Sequence, residues 1–88
     1  MDRLVAAVAR LENEEECYRF FEDLCTINEL QAMAQRYEVA RMLKKGDTYI
    51  AVAEKTGASS ATISRVNRCL LYGAKGYNIA IERENAEE

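Results

Sequence analysis

Apolar residues recur along this chain at intervals of three and four, and nothing alternates with period two over any length, so the pattern predicts helices and no sheet. Residues 2–11, DRLVAAVARL, place Leu4, Val5, Val8 and Leu11 at helical spacing. Asn13 then precedes a run of glutamates, an N-cap with acids in the turn that the helix dipole favours. The helix it opens, over about residues 14–24, carries Cys17, Phe20, Phe21 and Leu24 on one stripe. "TINE", Thr26 to Glu29, is a capping box and starts the longest helix, which runs to about Lys44. Ile27, Leu30, Met33, Tyr37, Ala40 and Leu43 mark its apolar side, and Gly46 stops it. Thr48 caps a short helix, YIAVAEKT, which Gly57 breaks. A fifth helix starts at Ser59 or Ser60 and reaches about Leu71. Gly73 and Gly76 loosen the chain before a last amphipathic helix over residues 77–86. Six helices in one all-α domain over residues 1–88 are therefore expected.

The fourth and fifth helices make one unit, over residues 48–71. With Tyr49 as the first place, Val52 is fourth, Ala53 fifth, Gly57 ninth, Ile63 fifteenth and Val66 eighteenth. A helix-turn-helix asks for this spacing. The fifth place must be small where the second helix crosses, and the ninth favours glycine for a positive φ. The fourth, fifteenth and eighteenth must be apolar to form the core between the helices. The outward positions of the fifth helix are then Ser59, Ser60, Ala61, Ser64, Arg65 and Arg68, with Thr62 at the margin. Short side chains let a helix backbone approach base edges in the major groove, and the two arginines can reach a guanine or a phosphate. Double-stranded DNA is the partner this predicts.

Charge supports that picture. The formal net charge is −3, but residues 41–78 hold seven bases against two acids while both flanking segments are acidic. A basic middle with acidic ends suits a nucleic-acid face on an otherwise negative protein. The chain has no histidine, no glycine-rich phosphate loop and no serine nucleophile elbow, so neither an enzyme nor a cofactor is expected. The cysteines Cys17, Cys25 and Cys69 lack metal-ligand spacing and are expected as buried thiols, so no metal is expected. The N-terminal apolar stretch is short and broken by Arg10, which fits neither a signal peptide nor a membrane span and points to a cytoplasmic protein. At 49% apolar in 88 residues, the chain has more apolar side chains than so small a domain hides easily, which hints at burial between subunits.

From Leu24 to Leu70 the sequence resembles the Trp repressor family, on "LCTINELQAMAQRYEVARMLKKGDTYIAVAEKTG" followed by "ATISRVNRCL". The resemblance implies an intertwined homodimer built through the helices of residues 2–44. It also implies transcriptional regulation at an operator, usually repression, with a small-molecule corepressor. In the family the corepressor tryptophan lies between two arginines, which match Arg36 and Arg65, and a pocket threonine matches Thr26. A family glycine is Val66 here, and a serine that holds the amino-acid carboxylate is Cys69. Apolar positions from the partner chain align with Asp23 and Cys25. These departures imply an altered or closed pocket in Thr26, Arg36, Arg65, Val66 and Cys69, with the effector, if any, unidentified. The competing expectation is a dimeric protein-interaction module whose DNA head has decayed. Decay should leave acids or bulky apolar groups at Ser60, Ser64 or Arg68, and none is there.

Overall fold

The computed structural model describes residues 1–87, and these form helices joined by turns with no strand among them. The elements are α1 (Asp2–Ala9), α2 (Glu14–Leu24), α3 (Ile27–Lys45), α4 (Tyr49–Thr56), α5 (Ser60–Tyr72) and α6 (Gly76–Ala86). They divide into two compact units, Met1–Gln31 and the chain from Ala32 onward.

The first unit shows how local chemistry sets helix ends. α1 stops two residues before the expected end because its last turn tightens. Leu11 N donates to Val8 O, and Arg10 N donates to both Ala6 O and Ala7 O. Asn13 caps α2 as expected, accepting from Glu16 N at 2.9 Å, and Glu16 reaches back to the Glu12 amide at 2.8 Å. Cys25 turns extended and ends the helix, and Thr26 and Glu29 open α3 through the expected box. No residue of α1 or α2 is buried. Val5 remains 60% exposed and Leu24 51%, although Phe20 and Phe21 pack edge to face with centroids 5.6 Å apart.

The second unit has a true core. Val39, Ala40 and Met42 of α3 meet Val52 of α4, Ala58 of the following turn, Ile63, Val66 and Leu70 of α5, and Ile81 of α6. Tyr37, Leu43, Ala53 and Tyr77 pack against its edge. The buried side of α3 meets expectation in part: Ala40 is buried and Tyr37 and Leu43 pack at the core's edge, but Val39 and Met42 are buried as well and Met33 is exposed. Apolar residues are spread around this helix, so periodicity alone does not select the side that α4, α5 and α6 cover.

α3 ends in a Schellman arrangement at Gly46 (φ 104), with Gly46 N donating to Leu43 O and Asp47 N to Met42 O, both at 3.0 Å. α6 begins one residue earlier than expected, after Lys75, a non-glycine residue at φ 70 whose ammonium donates to Leu71 O at 3.3 Å and so caps α5. Carboxylates on α6 tie it to α3. Tyr37 Oη donates to Glu84 Oε1 at 2.9 Å, Arg41 Nε to Glu84 Oε2 at 2.8 Å, and Lys44 pairs with Glu82 at 3.4 Å. Burial, and then the bond to Glu84, hold the Tyr37 phenol above its usual pKa.

The three cysteines are free thiols, and the expected burial is not met: Cys17 and Cys25 are half-buried and Cys69 is exposed. Among the described residues no helix is long and apolar enough to cross a membrane, and no cluster of His, Cys, Asp and Glu could hold a metal.

Candidate nucleic-acid interface

The α4–α5 pair closes around the residues its spacing requires. Val52, Ile63 and Val66 are no more than 1% exposed, and Ala53 packs at the edge of the same cluster. The small side chain at Ala53 permits the close crossing; a bulkier one would push α5 off Val52. Gly57 ends α4 at φ 73, ψ 7, the left-handed region that disfavours other residues, and its amide donates to Ala53 O at 2.9 Å.

Side chains finish the turn. Thr48 accepts from Ala51 N at 3.1 Å and starts α4. Thr56 Oγ1 donates to Val52 O at 2.7 Å and accepts from Ala58 N at 3.2 Å. Ala58 is itself buried, which fastens the turn to the core. Ser59 caps α5, accepting from Thr62 N at 3.1 Å and donating to Thr62 Oγ1 at 3.1 Å.

These bonds sort the seven predicted contact residues. Ser59 and Thr62 are engaged with each other at the cap, and Thr62 is half-buried. Ser60, Ala61, Ser64, Arg65 and Arg68 are exposed. Successive steps of four place Ser60, Ser64 and Arg68 on one ridge of α5 and Ala61 and Arg65 on the next. Among the described residues no carboxylate pairs with Arg65 or Arg68, whereas Arg41, Lys44 and Lys45 are all paired. The outer face of α5 thus presents two free guanidinium groups beyond a patch of hydroxyls and methyls.

The residues of the expected ligand pocket fall in two units. Thr26 belongs to the first unit, where its hydroxyl accepts from Glu29 N at 3.2 Å. The other four belong to the second. Arg36 is half-buried, without an ion-pair partner among the described residues, and Arg65 is exposed. Val66 lies in the core. Cys69 borders a groove of about 400 Å³ with Tyr37, Tyr77, Ala74, Lys75, Gly76 and Ala80, and within this unit Arg36, Arg65 and Val66 do not line it. Sequence reasoning missed Gln35, whose side-chain amide donates to Thr56 O at 3.1 Å. Its partner is a backbone carbonyl 21 positions away, which carries no signal in the residue pattern.

Two helices packed across a left-handed glycine, with free cations on the outer face of the second, define a helix-turn-helix protein. The chain belongs to the Trp repressor protein family, whose model matches residues 1–85. It is 56% identical over 88 residues to the uncharacterized protein YerC of Bacillus subtilis (strain 168), a match covering 100% of this chain and 85% of YerC. Two solved structures share the fold. A candidate Trp repressor from Staphylococcus aureus superposes with a TM-score of 0.90 at 51% identity, over 96% of this chain and 84% of that one. A TrpR-like protein from Eubacterium eligens ATCC 27750 does so with a TM-score of 0.90 at 54% identity, over 96% and 87%. The family is one of regulators rather than enzymes, and membership in it supports DNA-binding regulation of transcription.

Proposed function

We propose that this protein is a sequence-specific DNA-binding repressor of transcription that acts as a homodimer in the cytoplasm. The observation that carries the reading is the pairing of a closed α4–α5 core with an uncompensated basic face on α5. α5 enters the major groove. Ser60, Ala61 and Ser64 bring its backbone close to base edges, Arg65 and Arg68 bind guanine or phosphate, and the Ser59–Thr62 cap holds the start of the helix rigid.

A dimer accounts for the first unit. Its helices fully bury no residue, yet display Leu4, Val5, Val8 and Leu24. A second copy would cover these groups, and obligate interfaces of this kind bury on the order of a few thousand Å². Sedimentation at micromolar concentration should give twice the monomer mass; a folded monomer would remove the dimer from the reading.

A tryptophan requirement is not part of the proposal, since Val66 fills the position where the family has glycine. The decisive experiment for the whole reading is selection from random duplexes, with and without candidate amino acids, followed by transcription assays on the recovered sequence. Recovery of one consensus supports it, and recovery of none removes it.

A further inference from the structure

α3 meets the helix-turn-helix mainly through apolar side chains. Among the described residues one side-chain hydrogen bond also joins them, from Gln35 Nε2 to Thr56 O at 3.1 Å. Gln35 lies four positions before Val39 and seven before Met42, so it is the polar end of the buried stripe of α3. Thr56 O is the last carbonyl of α4, and with Gly57 turning left-handed it has no donor from its own helix. The neighbouring groups are closed from within the motif: Thr56 Oγ1 bonds Val52 O and Ala58 N, Gly57 N bonds Ala53 O, and Ser59 bonds Thr62. Thr56 O is the acceptor of this turn that is met from α3.

We propose that Gln35 is a positioning residue for DNA recognition, a role that rests on the DNA-binding reading above. Apolar packing is non-directional and tolerates small rotations of one helix over another. A hydrogen bond loses strength steeply with angle. The Gln35 bond therefore fixes the tilt of the turn on α3. Ser59 and Ser60 follow Thr56 by three and four residues, so that tilt sets where the first turn of α5 meets base edges. Base-edge contacts need their groups placed within about 0.5 Å. Contacts from flexible arginines to phosphate are more forgiving. Gln35 consequently governs discrimination between sequences more than general affinity for DNA.

The test compares the wild-type protein, Gln35→Met and Gln35→Lys, well below their melting temperatures, on the duplex recovered by selection and on a random duplex. Methionine keeps length and packing but has no donor; lysine returns a donor to Thr56 O. Gln35→Met should lower the ratio of selected to random affinity by about three- to tenfold, the size of one net hydrogen bond, with random-duplex affinity and salt slope unchanged. Gln35→Lys should restore most of the ratio, in which its added charge cancels. Hydrogen exchange on the DNA-free proteins supplies a second measurement: the Ala58 amide should exchange faster in Gln35→Met while amides of the α3 core do not. An unchanged ratio, an equal loss on both duplexes, or no recovery with lysine overturns the role. A wild-type protein that selects no duplex overturns the DNA-binding reading itself, whatever Gln35 does to the turn.

Discussion

Thr26 and Glu29 cap each other: the Thr26 amide donates to Glu29 Oε1 at 2.8 Å, and the Glu29 amide donates to Thr26 Oγ1 at 3.2 Å. Two groups that the start of α3 would leave unsatisfied are closed by one reciprocal pair. The bonds from the Thr26 backbone and side chain hold the Glu29 carboxyl below its ordinary value of 4.5. A depressed carboxyl contributes stability that is present above its unfolded pKa and is lost as pH falls through the folded one. The α3 start should therefore weaken below about pH 4.5. Glu29→Gln keeps an acceptor for the Thr26 amide but does not titrate. Its melting temperature should sit below that of the wild type at neutral pH, and the gap should narrow as the solution is acidified. A gap constant from pH 7 to pH 3 would mean that Glu29 is uncoupled from folding.

Gly57 and Gly73 are required for different reasons, and the same substitution should separate them. At Gly57 a Cβ would meet nothing within 4 Å, so alanine there suffers only the left-handed backbone at φ 73, about 1 kcal/mol. Asparagine, which tolerates that region, should lose less. At Gly73 a Cβ would lie 2.5 Å from the backbone oxygen of Cys69, so the last turn of α5 must move. Such overpacking costs up to about 3 kcal/mol. Urea midpoints should rank wild type above Gly57→Asn, then Gly57→Ala, then Gly73→Ala. Equal midpoints for the two alanine variants would contradict the clash at Cys69.

Arg65 and Arg68 should separate by the kind of DNA contact each makes. Neither is buried or paired, so Arg65→Ala and Arg68→Ala should melt like the wild type. An arginine on a guanine should cost about 1–3 kcal/mol and relax preference at one base pair. An arginine on a phosphate should weaken every duplex alike and lower the salt slope by about one unit. Titrations of both variants at several salt concentrations distinguish the cases, and unchanged binding in both would remove α5 as the recognition helix.

What the sequence made legible was local. Asn13, Thr26, Thr48 and Ser59 announce helix starts because the bond that defines each cap lies within three residues. The α4–α5 core was legible because its spacing is imposed by one short turn. The side of α3 that faces this core was legible only in part, at Tyr37, Ala40 and Leu43 but not at Val39 and Met42, since it depends on where three later helices pack. Nor were the bonds from Tyr37 and Arg41 to Glu84, which span more than 40 positions. The first unit shows the same limit: its apolar stripe is plain in the sequence, but its residues stay half-buried at Cys17, Phe20 and Phe21 and exposed at Leu24.

Val66 decides the last expectation. Its side chain is 1% exposed, enclosed in the cluster that includes Val52 and Ile63. In the family a glycine at this position leaves room beside the arginine matching Arg65, and the tryptophan ring uses that room. Valine is β-branched and cannot rotate away easily within a helix. A ring brought against α5 here must displace a side chain that the protein's own core already holds, and forcing extra volume into packed space costs about 1–3 kcal/mol. The carboxylate would also meet Cys69, whose thiol is a weaker donor than a serine hydroxyl. Val52, Ile63 and Val66 already fill the space between α4 and α5, so packing alone holds α5 in place. DNA binding is therefore expected to be independent of tryptophan: calorimetry should detect no binding of L-tryptophan at sub-millimolar concentration, and affinity for the selected duplex should be equal with and without it. The variant Val66→Gly sharpens the test. It should destabilise the core by a few kcal/mol, as cavity-forming substitutions do, and if the missing space is what excludes the ring, it should gain tryptophan affinity that the wild-type protein lacks. A wild-type protein whose DNA affinity rises with tryptophan would show that the ring enters by a route Val66 does not block.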